Sequence, residues 1–184
     1  LNCNFFNYGR NNVDGAAVFI RNGCSDWTID GNSFYDTTGL ILANSNYRDI
    51  NVGSGGTNII SNNYIGGTQP MCGGAPLRFN NNGFASYMAI GVGGNNVIIF
   101  NNKISNMEIT LGYGTNLISV FSSSDTLSEV IIRDNIIGAD TNGVGFISIN
   151  QPLNLQISSS LISAKIKRGI IDNNSFRNIS SDIS

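Results

Sequence analysis

The sequence predicts an all-β chain built as a solenoid, and three observations carry that prediction. A short pattern of an apolar residue, two residues, Asn, one residue and a second apolar residue occurs six times. No segment holds a helical period, whereas short apolar runs bounded by Gly, Asn, Ser or Asp recur along the whole length, which is the signature of strands. Charged residues are only 12% of the chain against 41% hydrophobic, and the remaining polarity comes from Asn, Ser, Thr and Gly. That balance suits tight turns between strands, because Gly and Asn tolerate positive φ, and it argues against disorder.

The pattern reads Leu1-Asn2-Cys3-Asn4-Phe5-Phe6, Ile29-Asp30-Gly31-Asn32-Ser33-Phe34 and Ile60-Ser61-Asn62-Asn63-Tyr64-Ile65. It continues as Ile99-Phe100-Asn101-Asn102-Lys103-Ile104, Ile132-Arg133-Asp134-Asn135-Ile136-Ile137 and Ile171-Asp172-Asn173-Asn174-Ser175-Phe176. The aligned asparagines Asn4, Asn32, Asn63, Asn102, Asn135 and Asn174 are 28, 31, 39, 33 and 39 residues apart. A repeat at that period marks stacked units that bury a continuous core together.

Each element then has a local reason. Strands are expected at Ala16–Ile20, Leu40–Leu42, Met88–Ile90, Val97–Ile99, Leu117–Phe121, Val130–Ile132, Phe146–Ile149 and Ile170–Ile171. Cut at the motif, the coils run from Val13 to Phe34, Leu40 to Ile65, Leu77 to Ile104, Ile109 to Ile137 and Gly145 to Phe176, each holding about three strands of ordinary length. Side chains alternate along a strand, so Val97 and Ile99 point inward around an outward Ile98, as do Val130 and Ile132 around Ile131. The motif asparagine is expected at the turn, in the left-handed conformation, with its amide bonded to the asparagine of the coils above and below. Phe6, Phe34, Ile65, Ile104, Ile137 and Phe176 return the chain to the core.

These residues resemble the right-handed parallel β-helix family, the architecture shared by pectate lyases, polygalacturonases and many bacterial surface proteins. The resemblance covers nearly the whole chain, and it implies a right-handed parallel β-helix solenoid of about six coils with an Asn ladder. Handedness follows from that resemblance and from the general preference for right-handed crossovers. A second stretch, Ser61-Asn62-Asn63-Tyr64-Ile65-Gly66-Gly67-Thr68 with Cys72-Gly73-Gly74 and Ile90-Gly91-Val92-Gly93, is similar to segments of very long secreted β-helix proteins of Bacteroidetes-type bacteria. Residues 1–184 are expected to form one β-helix segment of a longer solenoid, since neither end reads as a polar cap.

Composition also limits the chemistry. The chain has no histidine, which removes Ser-His-Asp and Cys-His arrangements and most zinc sites, along with the Gly-His-Gly element of polygalacturonases. Net charge is −2 with Lys165, Lys167 and Arg168 as the sole basic cluster, so no nucleic-acid partner is expected. No apolar run reaches membrane-helix length. Cys3, Cys24 and Cys72 lack metal-ligand spacing; they read as buried or turn cysteines, with a Cys3–Cys24 bridge as the alternative. Lys103, Arg133, Asp134 and Asp172 fall in neighbouring outward columns and read as a solvated face rather than a lyase base with Ca²⁺ ligands. Tyr8, Tyr35, Tyr47, Tyr64, Tyr87 and Tyr113 share no repeat column and read as packing residues. The Gly-rich pieces Gly53–Gly56 and Gly91–Gly94 lack the Lys-Ser/Thr of a phosphate loop. Asn173-Asn174-Ser175 and Asn178-Ile179-Ser180 match the N-glycosylation triplet, and Asp36-Thr37-Thr38 and Asp125-Thr126-Leu127 match a short O-glycosylation signal.

One outward column stands out: Thr28, Ile59, Ile98, Ile131 and Ile170. Such an apolar stripe is either covered or an interface. The insertions Gly66–Asn82 and Gln151–Lys167 are the expected cover, and surface glycans or a surface or secretion protein are the expected partners on Ile59, Ile98, Ile131 and Ile170 otherwise. No catalytic, cofactor or metal residue is assigned. The functional expectation is a structural or adhesive segment of a secreted bacterial cell-surface protein, extracellular and without catalysis of its own; the alternative is a polysaccharide-binding or lyase-type enzyme acting on the outer face.

Overall fold

The computed structural model describes residues 2–8, 15–42, 46–53, 55–80, 86–110, 114–121, 129–151, 160–164 and 168–183. These form an all-β structure of four parallel sheets, compatible with a β-helix or solenoid. Sheet I holds Gly15–Ile20, Tyr47–Val52, Ser86–Gly93, Gly114–Phe121 and Ser160–Ala164. Sheet II holds Thr28–Asp30, Thr57–Ser61, Asn96–Phe100, Glu129–Arg133 and Gly169–Asp172. Sheet III holds Asn4–Phe6, Ser33–Tyr35, Tyr64–Ile65, Lys103–Ile104, Ile136–Gly138 and Ser175–Arg177. Sheet IV holds Leu40–Leu42, Leu77–Asn80, Met107–Thr110, Ile147–Gln151 and Ile179–Ile183. In every sheet the spatial order of strands is their chain order. A full repeat therefore contributes four strands, one more than the apolar runs suggest, because sheet III strands are only two or three residues long and lie inside the motif itself.

Register is continuous across repeats. In sheet II, Ile59, Ile98, Ile131 and Ile170 pair in sequence, and Ile60, Ile99, Ile132 and Ile171 pair beside them. The second set points inward: Ile60, Ile99 and Ile132 are fully buried. Phe34, Ile65, Ile104 and Ile137 fill the corresponding place in sheet III, and Ile41, Phe79, Ile109 and Ile149 in sheet IV. Burial of each such side chain is worth roughly 1.5–3 kcal/mol, so the stacked apolar columns are the main cohesive term.

The turn from sheet II to sheet III divides its work between two residues. Gly31, Asn62, Asn101, Asp134 and Asn173 hold positive φ between 50° and 70°. The motif asparagine follows each and does not share that conformation, contrary to expectation. Its amide faces inward instead. Asn63 N–H and Nδ2 both donate to Asn102 Oδ1 at 3.0 Å, and Asn102 N–H and Nδ2 donate to Asn135 Oδ1 at 3.0 Å. Asn32 donates to Asn63, and Asn135 to Asn174, in the same way. The spare Nδ2 proton reaches a sheet II carbonyl of the preceding repeat: Asn63 to Ile29, Asn102 to Ile60, Asn135 to Ile99 and Asn174 to Ile132, at 2.9–3.1 Å. Each interior amide is thus satisfied with both neighbouring repeats, as buried polar groups require.

The first motif copy is displaced by one residue from its sequence alignment. Asn4 pairs with Ser33, Phe5 with Phe34 and Phe6 with Tyr35. Cys3 therefore occupies the ladder place, and its N–H donates to Asn32 Oδ1 at 3.2 Å. Phe5 stacks on Phe34 at 4.9 Å between ring centres, while Phe6 is 54% exposed rather than in the core. Phe5 and Phe6 both satisfy the apolar place after the turn, so the Asn of the pattern points to Asn4 while the pairing selects Cys3. Phe176, in the core column by register, is 45% exposed.

Replacing Asn102 by Ala should cost about 3 kcal/mol or more in denaturant unfolding, since Asn63 loses an acceptor for two buried donors and Asn135 loses a donor. Asn101→Gly should change stability by less than about 0.5 kcal/mol, and Asn101→Val, which forces a β-branched residue into the left-handed region, by roughly 1–2 kcal/mol.

Candidate functional site

Three places bear on function: the outer faces of sheets II and I, and a carboxyl in the interior. The outward column of sheet II carries Ile59, Ile98 and Ile131, all partly exposed, and Ile170, which is 52% exposed. Of the Gly66–Asn82 insertion, Asn81 and Asn82 lie outside the described residues, and residues 66–80 lie on sheets III and IV rather than over it. That segment makes a short 3-10 turn, Pro70–Cys72, that sits on sheet III, with Met71 N–H donating to Ser33 Oγ at 3.2 Å, and then supplies the sheet IV strand Leu77–Asn80. Residues 152–159 and 165–167 of the other insertion lie outside the described residues, as do Tyr113 and Asp125-Thr126-Leu127.

On sheet I, Phe19, Ile20, Arg21, Asn22, Asn51, Gly53 and Phe121 line a trough of about 570 Å³. Phe19 is 60% exposed. Gly91 lies opposite Asn51 in the register, and a Cβ there would collide with the Met88 sulfur and press on the Phe121 ring. The bare backbone at Gly91 lets those two side chains lie down on the sheet.

The surface charges do not converge. Lys103 pairs with Asp140 at 3.1 Å, whose carboxyl is held below the usual range first by the Val144 amide and then by Lys103. Arg133 lies 3.5 Å from Asp134 and over the Phe100 ring at 5.6 Å, with Asp172 as its register neighbour. Lys103 is therefore separate from the Arg133, Asp134 and Asp172 group. Among the described residues, no group of three or more Cys, Asp or Glu is placed to hold a metal ion, and no helix is long and apolar enough to cross a membrane.

The interior holds a feature the motif does not announce. Asp49 is 1% exposed and accepts a hydrogen bond from Tyr87 Oη at 2.5 Å and another from Tyr8 Oη. Tyr47 and Tyr87 share an inward column of sheet I, stacked at 6.1 Å, with Tyr8 stacked on Tyr47 at 5.6 Å and Phe79 packed between at 5.1 Å. Burial pushes the Asp49 carboxyl up to about 7, against the two tyrosine hydrogen bonds that favour its charge. Burial, followed by the charge of Asp49, raises the hydroxyls of Tyr8 and Tyr87. Contrary to the sequence reading, two tyrosines do share a column; they are missed because the spacing between Tyr47 and Tyr87 spans a long insertion. Asn58, also fully buried, donates through Nδ2 to Gly55 O and Gly93 O at 2.9 and 2.8 Å and ties the sheet I–sheet II turns of adjacent repeats.

All three cysteines are free, so the Cys3–Cys24 bridge is not formed, and Cys3 and Cys24 are exposed. The Cys72 thiol donates to Ile65 O at 3.3 Å, and burial pushes it up to about 12. The glycosylation triplets fall on engaged side chains: Asn173 Nδ2 donates to Asp134, Asn178 Nδ2 to Gly145 O, and the Thr37 hydroxyl to Asn7 Oδ1. Compared with known proteins, this chain matches no family model, no curated protein and no solved structure.

The Asp49 geometry fixes a pH dependence. Its folded-state pKa is raised, so the folded state keeps a proton that the unfolded chain has released. The associated stability is fully present below the ordinary carboxyl range near 4 and is lost as pH rises through about 7, at about 1.4 kcal/mol per unit within that window. Denaturant unfolding from pH 4 to pH 8 should show this decline in the native chain relative to Asp49→Asn; equal pH slopes in the two would contradict it.

Proposed function

We propose that the four sheets wind as one right-handed parallel β-helix, a solenoid of about six coils, and that the chain is a structural and adhesive segment of a secreted bacterial cell-surface protein. The observation that carries this reading is the identity of chain order and strand order in all four sheets, combined with one unbroken asparagine ladder. A solenoid of that kind grows by nearest-neighbour stacking and presents outward columns at the strand spacing of about 4.8 Å. Such an array suits contact along its length with an extended partner. Ordinary right-handed crossover geometry supports the handedness.

A second reading, polysaccharide binding or a lyase-type activity on the outer face, is favoured by the trough on sheet I. Phe19 and Phe121 offer apolar faces to a sugar ring, and Arg21, Asn22 and Asn51 offer polar groups at its rim. Incubation with a panel of neutral and acidic polysaccharides, with and without Ca²⁺, separates the two. The scaffold reading expects no release of unsaturated sugars, and their release would overturn it. Binding without cleavage that falls about tenfold in Phe19→Ala would place adhesion in this trough; unchanged binding would place it elsewhere.

A further inference from the structure

The outer face of sheet II is more than an apolar stripe. Its strands are parallel and in register, so alternate residues form three outward columns. The centre is Ile59, Ile98, Ile131 and Ile170. On the side that precedes it in each strand, Glu129 lies next to Arg168, since Val130 pairs with Gly169 and Val130 N–H donates to Arg168 O. On the side that follows, Arg133 pairs with Asp172. At two of the five levels the two sides carry opposite charges: Glu129 across from Arg133 in one strand, Arg168 across from Asp172 in the next; the intervening levels carry Asn96 with Phe100 and Thr57 with Ser61, and the first carries Asp30 on the following side. Glu129, Arg133, Arg168 and Asp172 are all exposed. Among the described residues, no ion pair holds Glu129, Arg168 or Asp172.

We propose that this face takes a second copy of the same chain, the two isoleucine columns packed face to face about a two-fold axis that runs along the column. That axis brings the preceding side of one copy against the following side of the other at the same level. Each Glu129 then meets Arg133 of the second copy, each Arg168 meets Asp172 of the second copy, and each isoleucine meets its own equivalent. This is the self-complementarity that a two-fold interface demands. The charged columns are four residues apart, about 13 Å, and two sheets pack about 10 Å apart, a gap that Arg and Glu side chains from opposite copies span together. A partner of uniform charge would meet repulsion at one level or the other on each side.

The face is small beside the roughly 800 Å² per partner of a standard interface. The pairing is accordingly weak and reversible, and it gains strength where many copies are held close together. It stands whether or not the chain serves as a scaffold, because it rests only on the register of sheet II.

Sedimentation equilibrium on the 184-residue chain, from about 10 µM to about 1 mM, the range in which weak pairs dissociate, tests the proposal. A monomer–dimer equilibrium that weakens with added salt is expected. Glu129→Arg and Arg133→Glu, both at exposed positions, should each weaken dimerisation by about tenfold or more. An equimolar mixture of the two variants should dimerise again, because each heterodimer regains the Glu–Arg contacts. Circular dichroism unchanged from the native chain confirms that the variants fold; should either variant misfold, Ile131→Thr in the native charge background replaces it, with the same loss of dimer expected. A native chain that stays monomeric over the whole range, a dimer indifferent to these substitutions, or a mixture of folded charge variants that fails to recover would each overturn the proposal.

Discussion

Everything in this chain depends on the interior amide at the turn between sheets II and III. One oxygen accepts two protons from the repeat before it, and one nitrogen donates to the repeat after it and to a carbonyl of the repeat before. No arrangement with the strands slipped by one residue preserves those bonds, since a slip also turns every inward side chain outward. The ladder therefore fixes register, and register in turn stacks isoleucine on isoleucine. Its polarity is uniform along the stack, each asparagine donating forward, so the repeats are chemically directional as well as parallel.

That fixed frame creates both the interior and the outer faces. Inward columns of apolar residues supply cohesion, while the frame tolerates an ionisable group only where partners reach it. Asp49 meets that condition through Tyr8 and Tyr87, which come from two different repeats. The tyrosine hydroxyls soften the cost of burying a carboxyl without abolishing it, which is why burial wins and the carboxyl holds its proton toward neutrality. On the outside, the same register stacks Ile59, Ile98, Ile131 and Ile170 in one column and sets unlike charges next to each other in the columns on either side.

The repeat, the inward and outward assignments around Ile98 and Ile131, and the isoleucine column were legible because the pattern around the motif is short and its period-2 alternation is unambiguous. The first copy misaligned because Asn4 imitates the ladder residue while Phe5 and Phe6 both satisfy the apolar place; only the pairing of Asn4 with Ser33 decides between them. In the Asn-Asn pairs the first asparagine, not the motif one, takes the left-handed conformation. Either asparagine can adopt it, and the choice follows from which amide must face the interior. The Asp49 cluster was illegible for a different reason. Tyr8, Asp49 and Tyr87 come from three successive repeats, and insertions of unequal length hide that stacking brings them together. No outward site could be named from residue types alone, since Phe19 and Phe121 are far apart in the chain and line one trough only through the stacking of the sheet I strands between them.

Hydrogen exchange of the asparagine side-chain amides, followed residue by residue by NMR, tests the central claim most directly. The ladder amides of Asn63, Asn102 and Asn135 should exchange slowly, together with the core strands, while the turn amides of Asn101 and of Asn62, which is held only at the surface by Asp30, exchange much faster. Equal and rapid exchange at all five would mean that the interior ladder does not hold the repeats in register, and the account built on it would fail.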